Sequence, residues 1–166
     1  MGQYEVPGMT LIPQKLNMSC WYASAQMLIQ WRQDQAQASL AWLVPPDLDA
    51  QCVALRDANG GIVNNQILAL AKRIGLKAVP PISPSVETIE SWLRSYGPLW
   101  VNGKSHIVVI AGIKTATREV KVYDPAPVNV GRINWRSLDG WYASGSSVSS
   151  RDTAKDVQAV FLYVPR

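Results

Sequence analysis

The apolar pattern of this chain changes character at Gly97-Pro98. Before that point, apolar residues recur three and four positions apart, the spacing of a helix that buries one face. Beyond it, apolar residues come in short runs rich in valine, isoleucine and tyrosine, which is typical of strands. Because helices precede strands instead of alternating with them, the pattern predicts an α+β fold with N-terminal helices packed on a C-terminal antiparallel sheet.

The pattern predicts four helices and five strands, separated by Gly, Pro and Asn breaks. The first helix begins after Ser19 and runs to about Gln33, where a Gln/Ala-rich stretch either extends it or loops out. The second, capped by Asp47, spans 47–57; the others span 65–74 and 85–96. The predicted strands are 99–102, 106–113, 118–123, a weaker stretch near 133, and 157–164, with a Gly/Ser-rich surface loop at 144–150.

Two residue types with complementary chemistry lie far apart in this sequence. Cys20 follows Ser19, a good N-cap, so it falls in the first turn of a helix, where the helix N-terminus stabilises a thiolate. His106 is the only histidine of the chain and begins an apolar strand. Because a thiolate paired with an imidazolium is a strong nucleophile, we predict that Cys20 attacks a carbonyl carbon and that His106 is its base.

Two further residues fit the same chemistry. Gln14 lies six positions before the cysteine, close enough to turn back and donate its amide N–H, beside the Cys20 N–H, to a developing oxyanion. Asp124 ends a predicted strand antiparallel to the one that begins at His106, so its carboxylate can orient the imidazole. The predicted order along the chain is therefore Gln, Cys, His, Asp.

These residues carry a resemblance to a known family. The segment from Gln14 to Met27, with its Gln-x5-Cys-Trp pattern and following helix, resembles papain-like cysteine proteases. The strand that begins at His106 and the Val-Tyr-Asp-Pro end at Asp124 look most like bacterial effector proteases, bacteriocin-leader peptidases and papain-like toxin domains. The similarity covers about 6–125. An Asp stands where papain has Asn, as is common in the bacterial relatives.

The resemblance implies a papain-like α+β fold in a single domain over 1–166. It also implies a cysteine endopeptidase that needs no cofactor and cleaves a specific target protein through a Cys-His-Asp triad. The relatives in question are secreted or injected into a target cell, alone or as the C-terminal domain of a larger protein. A producing bacterium then needs an immunity protein, an inhibitor that covers the cleft.

Composition excludes several other classes. With 166 residues, 48% hydrophobic and 17% charged, the chain has enough apolar surface for one compact core. The formal charge of +4 comes from scattered Lys and Arg, so we expect no nucleic-acid partner. Nowhere do about eighteen apolar residues run together, and no signal peptide is recognisable, so we expect neither a membrane span nor export on the chain's own signal.

Less specific interpretations of the same residues remain open. A lone cysteine or histidine in an apolar setting is often core, Asp before Pro often starts a turn, and Gln14 fits a surface loop equally well. Cys52 shares a helical face with Leu48 and Leu55, which predicts a buried filler, the competing use being a disulfide with Cys20. The spacing of two Cys and one His does not suggest zinc.

Two alternative functions also remain. Papain-fold enzymes include amidases, deamidases and transglutaminases, which use the same acyl-transfer chemistry on other amides. With a single histidine, a wall amidase that takes a second His as its third residue is less favoured. The non-enzymatic alternative is an inactive, protease-like binding module, against which the retention of all four site residue types argues.

Overall fold

The structure, a computed structural model, describes residues 2–62, 64–79, 85–103, 106–138 and 161–165. It confirms the α+β class. The helices in the described residues are α1 (Cys20–Ala36), α2 (Ala50–Asp57), α3 (Asn64–Ile74) and α4 (Val86–Tyr96), with a 3₁₀ turn at Pro46–Leu48. The strands are β1 (Gln3–Glu5), β2 (Lys77–Ala78), β3 (Leu99–Gly103), β4 (His106–Lys114), β5 (Glu119–Asp124), β6 (Arg132–Ser137) and β7 (Phe161–Tyr163).

The strands form one antiparallel sheet in the order β2-β7-β3-β4-β5-β6, with β1 also paired to β4. The central strand is β4, whose apolar run from Ile107 to Ile113 is buried throughout. Strand β3 pairs with the first half of β4, and β1 pairs with its end, Gln3 opposite Lys114. Strand β5 pairs with the other edge of β4, so His106 begins a strand that is hydrogen-bonded on both sides.

Helix α1 packs on β4 and β3 and is buried on most of its circumference. Its apolar residues at helical spacing, Trp21, Ala25, Leu28 and Trp31, are all buried. Polar anchors fix the helix as well: the indole of Trp100 donates to the Trp21 carbonyl at 3.2 Å. Because α1 is buried on several sides, it holds the residue at its N-terminus in a fixed position.

The predicted bounds need some correction. The second helix begins at Ala50, and its cap is Asp49, whose carboxylate accepts from the Cys52 N–H, whereas Asp47 lies in the preceding 3₁₀ turn. Helix α1 continues to Ala36, where Gln37 ends it in a left-handed conformation. The short strands β1 and β2 were not predicted, because two or three residues are too few to show an alternation. The predicted loop 144–150 and residues 157–160 lie outside the described residues.

No helix in the described ranges is long and apolar enough to cross a membrane.

Candidate active site

Cys20 is the first residue of α1 and is half-buried, with Ser19 at the N-cap position as predicted. The Ser19 hydroxyl does not cap the helix, however. Its Oγ accepts from the Leu16 N–H at 3.1 Å and lies 3.1 Å from the Leu16 carbonyl oxygen. Among the described residues no acceptor takes the Cys20 N–H, so this donor and the positive end of the helix dipole are both available to a negative charge.

The structure brings His106 and Asp124 together at the start of β4 and the end of β5. The His106 Nε2 lies 2.6 Å from the Asp124 Oδ1, the distance of a strong charge-assisted hydrogen bond. The Cys20 thiol is close enough to the same imidazole to help raise the His106 pKa. Because Nε2 is taken by the carboxylate, Nδ1 is the ring nitrogen left to face the thiol. Three of the four predicted residues thus meet in one cluster.

Burial and hydrogen bonding act in opposite directions on the His106 imidazole. Burial alone favours its neutral form, but the hydrogen bonds and charges of Asp124 and Cys20 outweigh it and raise the His106 pKa from 6.5 to about 9. Burial likewise disfavours the charged form of Asp124. The hydrogen bonds from His106, Arg136 and the Ala126 N–H prevail and lower the Asp124 pKa from 3.8 to about 2. An imidazolium-carboxylate pair is therefore the stable state at neutral pH.

Gln14 lies buried in the loop before α1, anchored at both backbone groups to the segment after β5. Its N–H donates to the Pro125 carbonyl at 2.9 Å, and its own carbonyl accepts from the Asn129 N–H at 2.8 Å. Its side-chain Nε2 donates to the Leu16 and Asn17 carbonyls, both at 2.9 Å. Both amide hydrogens are engaged, so donation to an oxyanion requires one of those carbonyls to give up its bond. The oxyanion role stays a prediction.

Sequence reasoning missed Arg136, on β6. Its Nη2 donates to the Asp124 Oδ2 at 2.7 Å, so the carboxylate lies between two cations, with His106 on one oxygen and Arg136 on the other. The Asp124 Oδ1 also accepts from the Ala126 N–H at 2.9 Å. No motif marks this arginine. The available signal was its position in the strand next to the one that Asp124 ends.

A second loop contacts the residues on both sides of Cys20 in the sequence. The Asn59 side chain accepts from the Met18 N–H at 3.0 Å, and the Gly60 carbonyl accepts from the Trp21 indole at 2.9 Å. At Gly61 an added Cβ would come within 2.9 Å of the Met18 side chain. The Asn59-Gly60-Gly61 stretch after α2 therefore contacts the segment that carries Cys20.

The second cysteine lies apart from this cluster. Cys52 is only 1% exposed and is part of the core, as its helical face predicts, and both cysteines are free. Burial and the neighbouring Asp49 carboxylate raise the pKa of its thiol to about 12. Leu48, predicted on the same face, is exposed because it precedes the helix. Within the described ranges, no group of three or more His, Cys, Asp or Glu is arranged to hold a metal ion.

Two solved structures share this fold. The first is a double glycine motif protease from an AMS/PCAT transporter, solved in complex with the leader peptide. It has a TM-score of 0.52 and 18% identity over 98% of this chain and 96% of that one. The second is UfSP from C. elegans, with a TM-score of 0.58 and 14% identity over 98% of this chain. This chain covers 34% of that protein.

The family is shown by the sequence itself. No curated protein matches the chain. The family model described as "Papain-like cysteine protease AvrRpt2" matches residues 1–146, most of the chain, and that range includes Gln14, Cys20, His106 and Asp124. The chain belongs to the family of the papain-like cysteine protease AvrRpt2.

Proposed function

We propose that this cysteine protease cleaves peptide bonds within a target protein by means of a Cys20-His106-Asp124 triad. The observation that most supports the triad is the 2.6 Å contact between His106 Nε2 and Asp124 Oδ1, in an imidazole that also faces the Cys20 thiol. A carboxylate on one ring nitrogen and a thiol on the other is the arrangement that makes a thiolate and supplies a proton to a leaving group.

Acylation begins when the Cys20 thiolate attacks the carbonyl carbon of the scissile amide. A C–S bond forms, and the carbonyl electron pair moves to oxygen, where the Cys20 N–H at the start of α1 donates to it. Collapse of the tetrahedral adduct breaks the C–N bond, and His106 gives its proton to the departing amine. Asp124 keeps the imidazole oriented throughout, as the contact with Nε2 allows.

Deacylation uses the same groups in reverse. His106, now neutral, takes a proton from water, and the resulting hydroxide attacks the thioester carbonyl. The C–S bond breaks, the acid product leaves, and the thiolate-imidazolium pair is restored. Gln14 is the second oxyanion donor in this scheme, once substrate displaces one of the two carbonyls that its amide now contacts.

The biological setting we propose is that of a bacterial effector or toxin domain. The enzyme acts on a specific protein of another cell, and an immunity protein covers its cleft in the producer. The support is the resemblance of the His106 and Asp124 strands to effector and toxin proteases. Limited cleavage of one target, not general degradation, is the expected outcome.

Thiol labelling tests the proposed chemistry before any substrate is known. The protein is alkylated with iodoacetamide between pH 4 and pH 10, and the two cysteines are assigned by mass spectrometry. We expect Cys20 to react well below pH 8.5, the ordinary pKa of a thiol, and to slow in His106→Ala, while Cys52 stays inert. Labelling of Cys20 that is slow, or indifferent to His106, would contradict the triad.

The effector setting needs its own experiment. The wild type and Cys20→Ala are each produced inside candidate target cells, and newly formed protein N-termini are compared by mass spectrometry. A few new N-termini that depend on Cys20 would support a specific target. Broad, unselective cleavage would contradict it, even if the triad chemistry holds.

A further inference from the structure

Arg136 reaches Asp124 along the sheet, not across it. In the register of β5 and β6, Arg136 stands opposite Val120, whereas the residue opposite Asp124 is Arg132. The Arg136 side chain nevertheless extends to the Asp124 carboxylate and donates to its Oδ2 at 2.7 Å. Strand pairing alone therefore does not place the Arg136 guanidinium beside Asp124, and a second contact must orient it.

The second contact is with Asn134, which lies between the two arginines on the same face of β6. Its Oδ1 accepts from the Arg136 Nε at 2.8 Å and so directs the guanidinium toward Asp124. The Arg136 side chain is 20% exposed and the Asp124 side chain 7%, so the pair is largely shielded from water. Of the two β6 arginines, only Arg136 is hydrogen-bonded to Asp124 in the part of the chain that the structure describes.

Charge alternates through the cluster. The His106 imidazole faces the Cys20 thiol of α1 and the Asp124 carboxylate of β5, and the carboxylate faces Arg136 of β6. With the thiol ionised, two anions share the cluster with His106 and Arg136, so each cation is balanced. Without Arg136, a single imidazolium would lie between two anions in a partly buried site.

We propose that Arg136 is a positioning residue of the protease, which acts through Asp124 by holding its second carboxylate oxygen and balancing its negative charge. This inference rests on the proposed roles of Cys20, His106 and Asp124. An uncompensated carboxylate binds the imidazolium proton more tightly, which makes His106 a poorer acid toward the leaving amine. Arg136 thus keeps that proton transferable without touching the substrate.

The single histidine gives a direct readout. The His106 imidazole is titrated by NMR in the wild type, Arg136→Met and Arg136→Lys, with no need to assign other histidines. In Arg136→Met we expect the His106 pKa to rise by about 0.5 to 1 unit, the effect of removing one nearby positive charge. On a peptide substrate, kcat is expected to fall about tenfold with KM within about twofold. Arg136→Lys, which keeps the charge, recovers most of both.

Two further variants sharpen the test. Arg132→Met removes the same charge from the same strand, and from the position opposite Asp124, but leaves the Arg136 contact intact. We expect it to move the His106 pKa by less than about 0.3 unit. Asn134→Ala keeps both arginines but frees the Arg136 Nε, and should give a smaller rise of the same sign. It keeps the inference testable if Arg136→Met does not fold.

A His106 pKa that is unchanged or lower in both Arg136→Met and Asn134→Ala overturns the inference. So does an equal shift in Arg132→Met, because a general loss of charge then explains it. These titrations need no substrate, so they are separate from the proposed function. A wild type whose Cys20 labels slowly and cleaves no peptide contradicts the triad instead, whatever the titrations of the Arg136 variants show.

Discussion

At the scale of single residues, the two cysteines differ by location and not by chemical type. Cys20 begins a helix, is half-buried and faces an imidazole, so its surroundings supply both a dipole and a cation for a thiolate. Cys52 is enclosed by the core beside the Asp49 carboxylate, which disfavours its charged form. The two thiols therefore form a matched pair: the surroundings of Cys20 favour a thiolate, and those of Cys52 favour a neutral thiol packed in the core.

Exchanging each cysteine for alanine should separate the two roles. We expect Cys20→Ala to abolish peptide cleavage while leaving the unfolding free energy nearly unchanged, because the change is small and the site is partly open. Cys52→Ala should retain Cys20 labelling but lose about 1 to 2 kcal/mol of unfolding free energy, since it leaves a cavity in the core. Peptide assays and urea unfolding measure both. Loss of folding in Cys20→Ala would indicate that Cys20 has a structural role in the core.

Asp124 offers a second test at this scale. In Asp124→Asn the side chain keeps its size but loses its charge, and its amide group must place N–H donors toward either His106 or Arg136, both of which are donors themselves. We expect the His106 pKa to fall from about 9 toward its ordinary 6.5 and cleavage to drop about a hundredfold. NMR titration and single-turnover kinetics measure the two effects. An unchanged His106 pKa would show that the carboxylate is not its main partner.

The site residues that could be predicted from the sequence are those with a distinctive residue type or position. Cys20 and His106 stand out because thiols and imidazoles are rare in this chain, and Asp124 because a strand ends there. Arg136 could not be chosen, since the chain has many scattered cations and strand register alone favours Arg132. The hydrogen bonds of Gln14 depend on the folding of its own loop, which residue spacing does not encode.

At the scale of elements, the placement of Cys20 depends on how α1 is held along its length. Its far half is fixed at Trp31, whose indole donates to the Pro7 carbonyl at 2.8 Å. The turn after α4 packs directly on the same ring. At Gly97, φ is +88°, and an added Cβ would lie 2.2 Å from the Trp31 ring. The glycine predicted as a helix stop is thus also required for contact between two helices.

Gly97→Ala should therefore lower the unfolding free energy by about 3 kcal/mol, through overpacking against Trp31 and strain at a positive φ. Gly2→Ala is the control, because Gly2 also has a positive φ, of +50°, but no atom within 4 Å of an added Cβ. We expect that change to cost less than about 1 kcal/mol. Urea unfolding compares them. Equal losses in the two variants would exclude the steric contact with Trp31 as the cause.

The length of an element and its pattern of apolar and capping residues decide whether the sequence predicts it. Helix α4 has a Ser cap, a clear apolar face and a Gly stop, and its predicted bounds are confirmed. The predicted start of α2 was wrong because Asp47 and Asp49 are both plausible caps. The backbone near Pro46 favours a 3₁₀ turn before Asp49. Strand β1 exists because the edge of β4 near Lys114 is open to it, a tertiary reason that a local pattern cannot show.

At the scale of the whole molecule, the cluster of Cys20, His106 and Asp124 joins α1 to the sheet, so its protonation affects stability. The His106 pKa is raised to about 9 in the fold against 6.5 for an exposed imidazole. Its contribution is therefore fully present below pH 6.5 and is lost as the pH rises through 9. The Asp124 pKa is lowered to about 2, so its contribution is present above pH 3.8 and is lost as the pH falls toward 2.

The loss of stability at alkaline pH can be measured in Cys20→Ala, which has no thiol beside the imidazole. There the Asp124 hydrogen bond still raises the His106 pKa, by less than in the wild type. We expect urea unfolding to show a loss of about 1 to 2 kcal/mol between pH 6.5 and pH 9.5. Adding His106→Gln should flatten that slope, because the group that loses its proton is gone. A slope that survives in the double variant would mean that other groups, and not the imidazole between helix and sheet, carry the pH dependence.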